Sequence, residues 1–461
     1  MSRKILSLLV FALAIITFSP AASAFGDDIT VRVGLHYGGG SLNIANLQNV
    51  TGVGAGYRLG FFDVSGRFNE LARTNHIKIS MSAGGGSSAI VVRETDTGEQ
   101  IWVYEGALGI MPSLGEVERP LTWHRGYYYA GAFEFRRNGG NITVINRVDM
   151  DDYVNGVVPY EMSSSWPLEA LKAQAVCARS YAYTNLDKHK TFGFDLCASV
   201  DCQVYNGARL ETENTRLAVS QTRGQYAIWN GTVAQTFYHS SSGGSTEDVT
   251  NVWVNDLPYL RAVRDNFEDL SRAANGRWSY TVTNAQLTSI LNSKGHANSG
   301  IVSFTADYTP AGNVLALHFI DSSGRKLTFS RERARTILSS ATHNISIFSQ
   351  RFTVNSGQML SVESANGTTT RTDLNNITIL GAGGKTSQAS AATQVIGADS
   401  KISSVPQTQN DGTYVIQGTG WGHNVGMSQW GARGMAELGY SYTDIIAHYF
   451  TGVHVGSLPP R

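Results

Sequence analysis

Charge is the first thing this chain lacks. Lysine plus arginine and aspartate plus glutamate number 36 each, the formal net charge is zero, and only 16% of the 461 residues are charged. A nucleic-acid partner asks for a basic domain, so that class is set aside. No charge block is long enough to read as a tail, and there is no internal repeat. Proline is scarce (10) and cysteine scarcer (3), whereas glycine is abundant (49) and scattered among short alternating segments. That combination describes tight turns in a β-rich body. Outside the N-terminus no apolar stretch approaches the ~20 residues that a membrane-spanning helix needs. Apolar residues make up 42%, which is ordinary for a globular protein and enough for a sizeable core.

The N-terminus is different. Arg3 and Lys4 precede an apolar run from Ile5 to Phe18, and the next stretch ends in Ala22-Ser23-Ala24. A charged start, a short apolar run and an Ala-x-Ala ending make a secretory signal peptide, 1–24, with Phe25 as the mature N-terminus. The alternative is an uncleaved anchor, for which the run is short. The mature chain is expected in the periplasm or cell wall, with no transmembrane segment.

Along the rest of the chain the pattern is α+β. Residues 25–108 form a β-rich region, with strands at Ile29–Leu35, Ile77–Met81 and Ala89–Val92. Residues 109–275 hold a hairpin, Tyr127–Phe135 and Ile142–Asn146, turning at Arg137–Asn141. A second hairpin turns at Asn230-Gly231, with Ala234–His239 as its return strand. Residues 276–350 read as a small α+β subdomain with helices at Thr283–Ser293 and Glu332–Leu338. Residues 351–411 are rich in Ser, Thr, Asn, Gly and Ala and look like an insertion with short strands. Residues 412–461 supply a Gly-rich loop and a helix that complete the core.

One stretch carries the most information. Val157-Val158-Pro159-Tyr160-Glu161-Met162 is followed by Ser165-Trp166-Pro167 and a run from Leu168 to Tyr183 rich in good helix formers. Glu161 thus stands between an apolar β-like run and a helix, with Pro167 in the first turn and Ser165 as N-cap. Lys172 and Arg179, seven apart, fall on nearly one stripe with small Ala175 between them. A lone acid and two cations could bind a polar substrate, or be a solvated helix face. Farther on, Tyr238-His239-Ser240-Ser241-Ser242-Gly243-Gly244-Ser245-Thr246-Glu247 is a strand end opening into hydroxyls, suited to a sugar or to a self-satisfied turn. A serine hydrolase would want a Gly-x-Ser-x-Gly elbow, which is missing. Gly418 to Ala436 is Gly-rich and offers His423 and Gln429, but it lacks the Lys-Ser/Thr ending of a nucleotide loop.

The segment from Val157 to Ala182 resembles the signature of the stage II sporulation protein D, or amidase-enhancer, family. The Cys202–Gly207, Tyr238–Glu247 and Gly418–Ala432 segments match in order, with Asn424 where the family has Gly. The resemblance implies a peptidoglycan lytic transglycosylase with Glu161 as general acid and base. Met162 and Trp166 would raise its pKa by desolvation. Substrate binding would fall to Lys172, Arg179, Gln203, Tyr205, His239, Ser240, Ser241, Ser242, Glu247, His423 and Gln429. Glu161, the Tyr238–Glu247 loop and the Gly418–Gln429 loop should converge on one cleft. The partners would be glycan strands and, in the alternative reading, a cell-wall amidase stimulated by a non-catalytic glycan binder. No cofactor is expected. Cys197 and Cys202 are expected as a disulfide, with Cys177 free and buried. They are also half a zinc site, with His189 and His239 as candidate third ligands, although Thr191 to Leu196 holds no histidine.

Overall fold

The computed structural model describes residues 29–50, 55–85, 88–113, 119–355 and 412–458, and six short strands between 359 and 404. The expected signal peptide lies outside the described residues. The architecture is α+β, with strands predominating. A seven-stranded sheet runs in the order Leu196–Cys197, Thr30–His36, Asn141–Asp149, Ala132–Asn138, Leu108–Pro112, Tyr57–Phe62, Phe68–Thr74. Ile44–Asn49, Lys78–Ala83, Ala89–Glu94 and Gln100–Glu105 belong to a six-stranded sheet. Val31, Val33, Ile79, Val92, Ile110 and Phe133 from the two sheets share one core. The expected boundary at 108 is therefore absent, because strands on either side of it pair in one sheet.

The tyrosine-rich strand is also two strands. Tyr127–Tyr129 ends the six-stranded sheet and Ala132–Asn138 joins the other. Gly131 makes the break: its φ is +77° and a Cβ there would sit 2.2 Å from the Arg147 carbonyl oxygen. Only glycine takes that backbone at that approach.

Beyond the sheets the chain turns helical. Val157 and Val158 are not strand. Met150–Asn155 and Val158–Glu161 are short helices, and Glu161 ends the second. Asp149 caps the first by accepting from the Asp152 amide. The helix Leu168–Thr184 starts after Pro167, which itself occupies the N-cap without a side-chain bond. Ser165 bonds Ser163 instead of capping. Leu168–Thr184 is the hub of the fold. Twelve of its residues, from Ala170 to Ala182, are buried, and Gln429–Glu437, Tyr442–Tyr449 and Glu213–Gln221 pack around it. Such a helix shows no amphipathic stripe because it has no solvent face. Truncating Leu171, which is fully buried, would cost about 2–5 kcal/mol.

The second hairpin turns as expected, with Asn230 and Gly231 both at positive φ. Its return strand is only Thr232–Val233. Tyr238–His239 instead pairs in parallel with Met427–Ser428, joining the two family-like loops.

The small subdomain has a separate core that includes Leu287, Phe304, Phe319, Tyr414 and Ile416. Its helix Asn284–Ser293 is closed by a capping box between Thr283 and Gln286. Glu332–Thr336 is shorter than expected. A three-stranded sheet places Thr413–Thr419 between Arg277–Thr283 and Phe352–Asn355. The subdomain therefore extends beyond 276–350, and residues from 413 complete it before the chain returns to the main core. Beyond Asn355, the described strands of 351–411 form three hairpins, Met359–Glu363 with Thr369–Asp373, Thr378–Leu380 with Thr386–Gln388, and Gln394–Ile396 with Ile402–Ser404. Among the described residues no helix is long and apolar enough to cross a membrane.

Candidate active site

Glu161 opens onto a cleft of about 470 Å³ whose walls include Gln203, Val204, Tyr238, Trp253 and His423. Three distant segments build it. The short helix Val158–Glu161 delivers the carboxylate. The chain after Cys202 brings the Val204 amide to Oε1 at 3.3 Å, and the helix at 429 brings Gln429 Nε2 to Oε2 at 3.2 Å. Both bonds are long, and both donors are neutral. Burial raises the Glu161 pKa above the usual carboxylate range, while the Val204 amide, Gln429 and Tyr238 pull it partway back. Among the described residues no cation contributes to that balance.

Behind this face the polar groups bind one another. The Tyr238 hydroxyl donates to Gln203 Oε1 at 2.7 Å, and Gln203 Nε2 donates to the Tyr153 hydroxyl and the Ala178 carbonyl. Gln429 Nε2 also lies 3.4 Å from Gln174 Oε1. Chained bonds of this kind hold each rotamer in place.

The two histidines differ. His423 lines the cleft. Its Nδ1 accepts from the Val425 amide at 3.1 Å, which leaves the proton on Nε2. Burial and neighbouring His239 hold its pKa well below the ordinary value, so the ring is neutral. His239 lies behind it, ring centroids 5.5 Å apart, and is 5% exposed. Its Nδ1 faces the Val425 carbonyl at 3.2 Å, and burial takes its pKa to about 4. It supports His423 and is not part of the cleft wall.

The expected convergence is therefore present for Glu161, Gln203, His423 and Gln429, with Tyr238 and Trp253 added. Tyr238 was legible as the residue beside His239 in one strand. Trp253 follows that loop in a family-like Val252-Trp253 pair but was not among the expected site residues.

Seven expected binding residues lie elsewhere. Lys172 pairs with Glu169 at 2.7 Å and sits over the Tyr442 ring. Arg179 is fully buried and bonded to Asp151 at 2.8 Å and to the Gln225 carbonyl. The helix carrying them is wrapped on all sides, so its cations meet protein partners rather than ligand. Tyr205 is buried and donates to Asn146 Oδ1 at 2.6 Å. Ser240 is not among the cleft walls. Ser241 bridges to Trp421 through its backbone, and Ser242 faces the Asp265 and Glu268 carboxyls at 3.0 and 2.9 Å. Glu247 is 1% exposed and accepts four bonds, from the Asp248 amide, Asn251, Thr309 and Asn313, at 2.7 to 2.9 Å. It fastens the core to the small subdomain. Gly243 likewise serves packing, for a Cβ there would meet Thr419 at 2.6 Å. Asn424 takes φ +64° and donates to the Ser242 carbonyl at 2.8 Å, so it holds the loop where a glycine could only allow the turn.

The cysteines also depart from expectation. All three are free thiols. Cys177 is buried, as expected, and burial pushes its pKa up. The sulfur of Cys202 faces His189 Nε2 at 3.3 Å, and that of Cys197 faces the Ser199 hydroxyl at 3.3 Å. A turn through Lys190–Phe192 and Gly193, φ +85°, folds His189 back onto the cysteines from eight residues upstream. Ligand atoms of His189, Cys197, Asp201 and Cys202 all lie within 4.8 Å of one another. Two thiols, an imidazole and a carboxylate at that spacing suit a tetrahedral zinc ion. The two thiols are coupled: hydrogen bonding from Cys202 lowers the Cys197 pKa and raises that of Cys202. His239, the other candidate ligand, is not in this group. Asp201 and Cys202 line the Glu161 cleft, so the group forms part of its wall.

Four relatives and one family model match this chain. The model described as Stage II sporulation protein (SpoIID) covers residues 138–229, which include Glu161 and the hub helix. An uncharacterized protein of Brachyspira hyodysenteriae is 28% identical over 368 residues, 78% of this chain and 83% of that one. The amidase enhancer of Bacillus subtilis is 31% identical over 66% of this chain, which spans only 40% of the enhancer's length. Stage II sporulation protein D of the same organism is 23% identical over 68% of this chain and 75% of its own.

Proposed function

We propose that this chain, a member of the family of stage II sporulation protein D and amidase enhancer, is a lytic transglycosylase of peptidoglycan glycan strands. The observation that carries this reading is Glu161: one carboxyl group, desolvated, with only neutral donors, facing a cleft of sugar size. A raised pKa favours the protonated form that a general acid requires. Glu161 gives that proton to the glycosidic oxygen as the bond to the muramoyl C1 breaks. The carboxylate so formed is received by the Val204 amide and Gln429. It then takes the proton of the muramoyl C6 hydroxyl as that oxygen bonds C1, closing a 1,6-anhydro ring. The proton returns to Glu161 and no water enters. Hydrolysis usually needs a second carboxylate. The other carboxylate of the cleft wall, Asp201, is engaged by Lys188 and His189. Trp253 offers an apolar face, and His423 narrows the cleft beside it, with ring centroids 4.9 Å apart. The expected leader peptide would deliver the chain to the periplasm or cell wall, where the polymer is. Incubation of purified peptidoglycan with wild type and Glu161→Gln tests this reading through release of soluble glycan fragments.

The amidase-enhancer relative supports a second reading, in which the same cleft binds glycan without cleaving it and the protein stimulates a cell-wall amidase. Glu161→Gln separates the two, since an enhancer would keep its stimulation. The donor set of His189, Cys197, Asp201 and Cys202 would hold zinc as a clamp on the cleft wall. Elemental analysis should then find about one zinc per chain, with three reactive thiols after chelation. One thiol and no zinc would restore the disulfide.

A further inference from the structure

The small subdomain carries a second cavity, of about 660 Å³, that the Glu161 chemistry leaves unused. Its floor is one face of the three-stranded sheet. Arg277 stands opposite Thr419, and on the other side the Thr419 amide donates to the Arg351 carbonyl at 2.9 Å. Residues opposite one another share a face, as do residues two apart along a strand. Arg277, Thr419 and Arg351 therefore form one row, and Ser279, Gln417 and Thr353 the next. All six line the cavity. Trp278 and Phe352, from the alternate positions, pack into the subdomain core and also border the cavity.

The two guanidiniums are unusual. Among the described residues neither has a carboxylate partner. Arg351 directs Nε to the Gly243 carbonyl at 3.0 Å and Nη1 to the Ala311 carbonyl at 2.6 Å. Those bonds orient the fork and use two of the five N–H groups an arginine carries. Burial lowers its pKa below the ordinary arginine value, and the nearby Glu247 charge pulls it partway back without a hydrogen bond to the guanidinium. An oriented fork that makes no carboxylate hydrogen bond is matched by a planar oxyanion. The second row, two hydroxyls and an amide, matches neutral amides about 7 Å farther along, two residues of strand.

We propose that this cavity binds the free carboxylate of a short peptide, with the Arg277–Thr419–Arg351 row taking the carboxylate and the Ser279–Gln417–Thr353 row the adjoining amides. The choice of a peptide rests on the peptidoglycan reading, because that polymer carries carboxylate-ended peptides beside its glycan. Gly418 and Thr419 line this cavity, and His423, four residues after Thr419, lines the Glu161 cleft.

Calorimetric titration of the full chain with a soluble stem tetrapeptide, its fully amidated form, a chitooligosaccharide and inorganic phosphate tests the proposal. The tetrapeptide should bind. Amidation, or Arg277→Gln at an exposed position, should weaken binding at least about tenfold through loss of charge-assisted bonds. Chitooligosaccharide binding should be unchanged in Arg277→Gln, and tetrapeptide binding unchanged in Glu161→Gln. Equal binding of the amidated peptide, no effect of Arg277→Gln, or binding of phosphate alone would overturn the proposal. Glycan cleavage without peptide binding would sink this site and leave the catalytic reading intact. Peptide binding without cleavage would do the reverse.

Discussion

Glu161 and Glu247 sit in two regions of this protein and make opposite use of a carboxylate. Glu247 closes the junction between core and subdomain, with four donors at 2.7 to 2.9 Å filling both of its oxygens. Glu161 faces a cleft with one hydrogen bond to each oxygen, each at 3.2 Å or more, and with the Tyr238 hydroxyl nearby but donated to Gln203. Both are acids beside family-like segments, and spacing alone does not tell them apart. The donor count does. A saturated carboxylate has no capacity left for a substrate, whereas an under-bonded, desolvated one can hold and pass a proton.

The comparison breaks if each glutamate does not lose its own function. Glu161→Gln should lower glycan turnover by about two to four orders of magnitude, the contribution of a general acid–base group. Its unfolding temperature should not fall. Glu247→Ala should do the reverse. Each buried donor left without an acceptor costs about 1–3 kcal/mol, so a loss on the order of 3 kcal/mol in stability is expected. Thermal unfolding measures that loss, and turnover per folded molecule should persist. A Glu247→Ala protein that is stable but inactive would move Glu247 into the site.

Gln429→Leu sharpens the contrast. Its amide favours the ionised form of Glu161. Its removal should therefore raise the Glu161 pKa further and carry the alkaline limb of the pH–rate profile to higher pH, with only a several-fold loss at the optimum. An unmoved limb would mean that another group sets it.

The smallest effect is on stability. The Glu161 pKa is raised in the folded state, so between the unfolded value of about 4.3 and the folded value the native chain binds more protons. Wild-type stability falls with rising pH across that window and does not recover above it. Glu161→Gln escapes this loss. It should be the more stable protein at neutral pH, with the advantage shrinking as pH falls below the window. Urea titrations at several pH values measure the difference.

Much of this was legible in the chain. The Arg137–Asn141 and Asn230-Gly231 turns, the helix expected from Thr283 and the run of helix formers after Pro167 each carry a local rule that the fold obeys. Glu161, Gln203, His423 and Gln429 lie in segments whose order resembles a family. What stayed hidden was which polar groups answer one another. Arg179 and Lys172 look like a ligand-binding stripe until their helix is seen to be enclosed. Asp151 and Glu169, which engage them, are ordinary acids in the sequence. Ser241, Ser242 and Glu247 suggest a sugar site, yet their partners, Trp421, Asp265, Glu268, Thr309 and Asn313, come from other segments. His189, one of the two candidate third ligands, reaches the cysteines from eight residues upstream through a tight turn, whereas Asp201 carried no signal of its own.

The most direct test of the central claim is the chemistry of the new chain ends. Glycan fragments released by the wild-type protein should be analysed by mass spectrometry, with Glu161→Gln as the control. The account predicts 1,6-anhydromuramoyl ends from wild type and none above background from the variant. Reducing muramoyl ends bearing an oxygen from solvent, or equal release by Glu161→Gln, would contradict it.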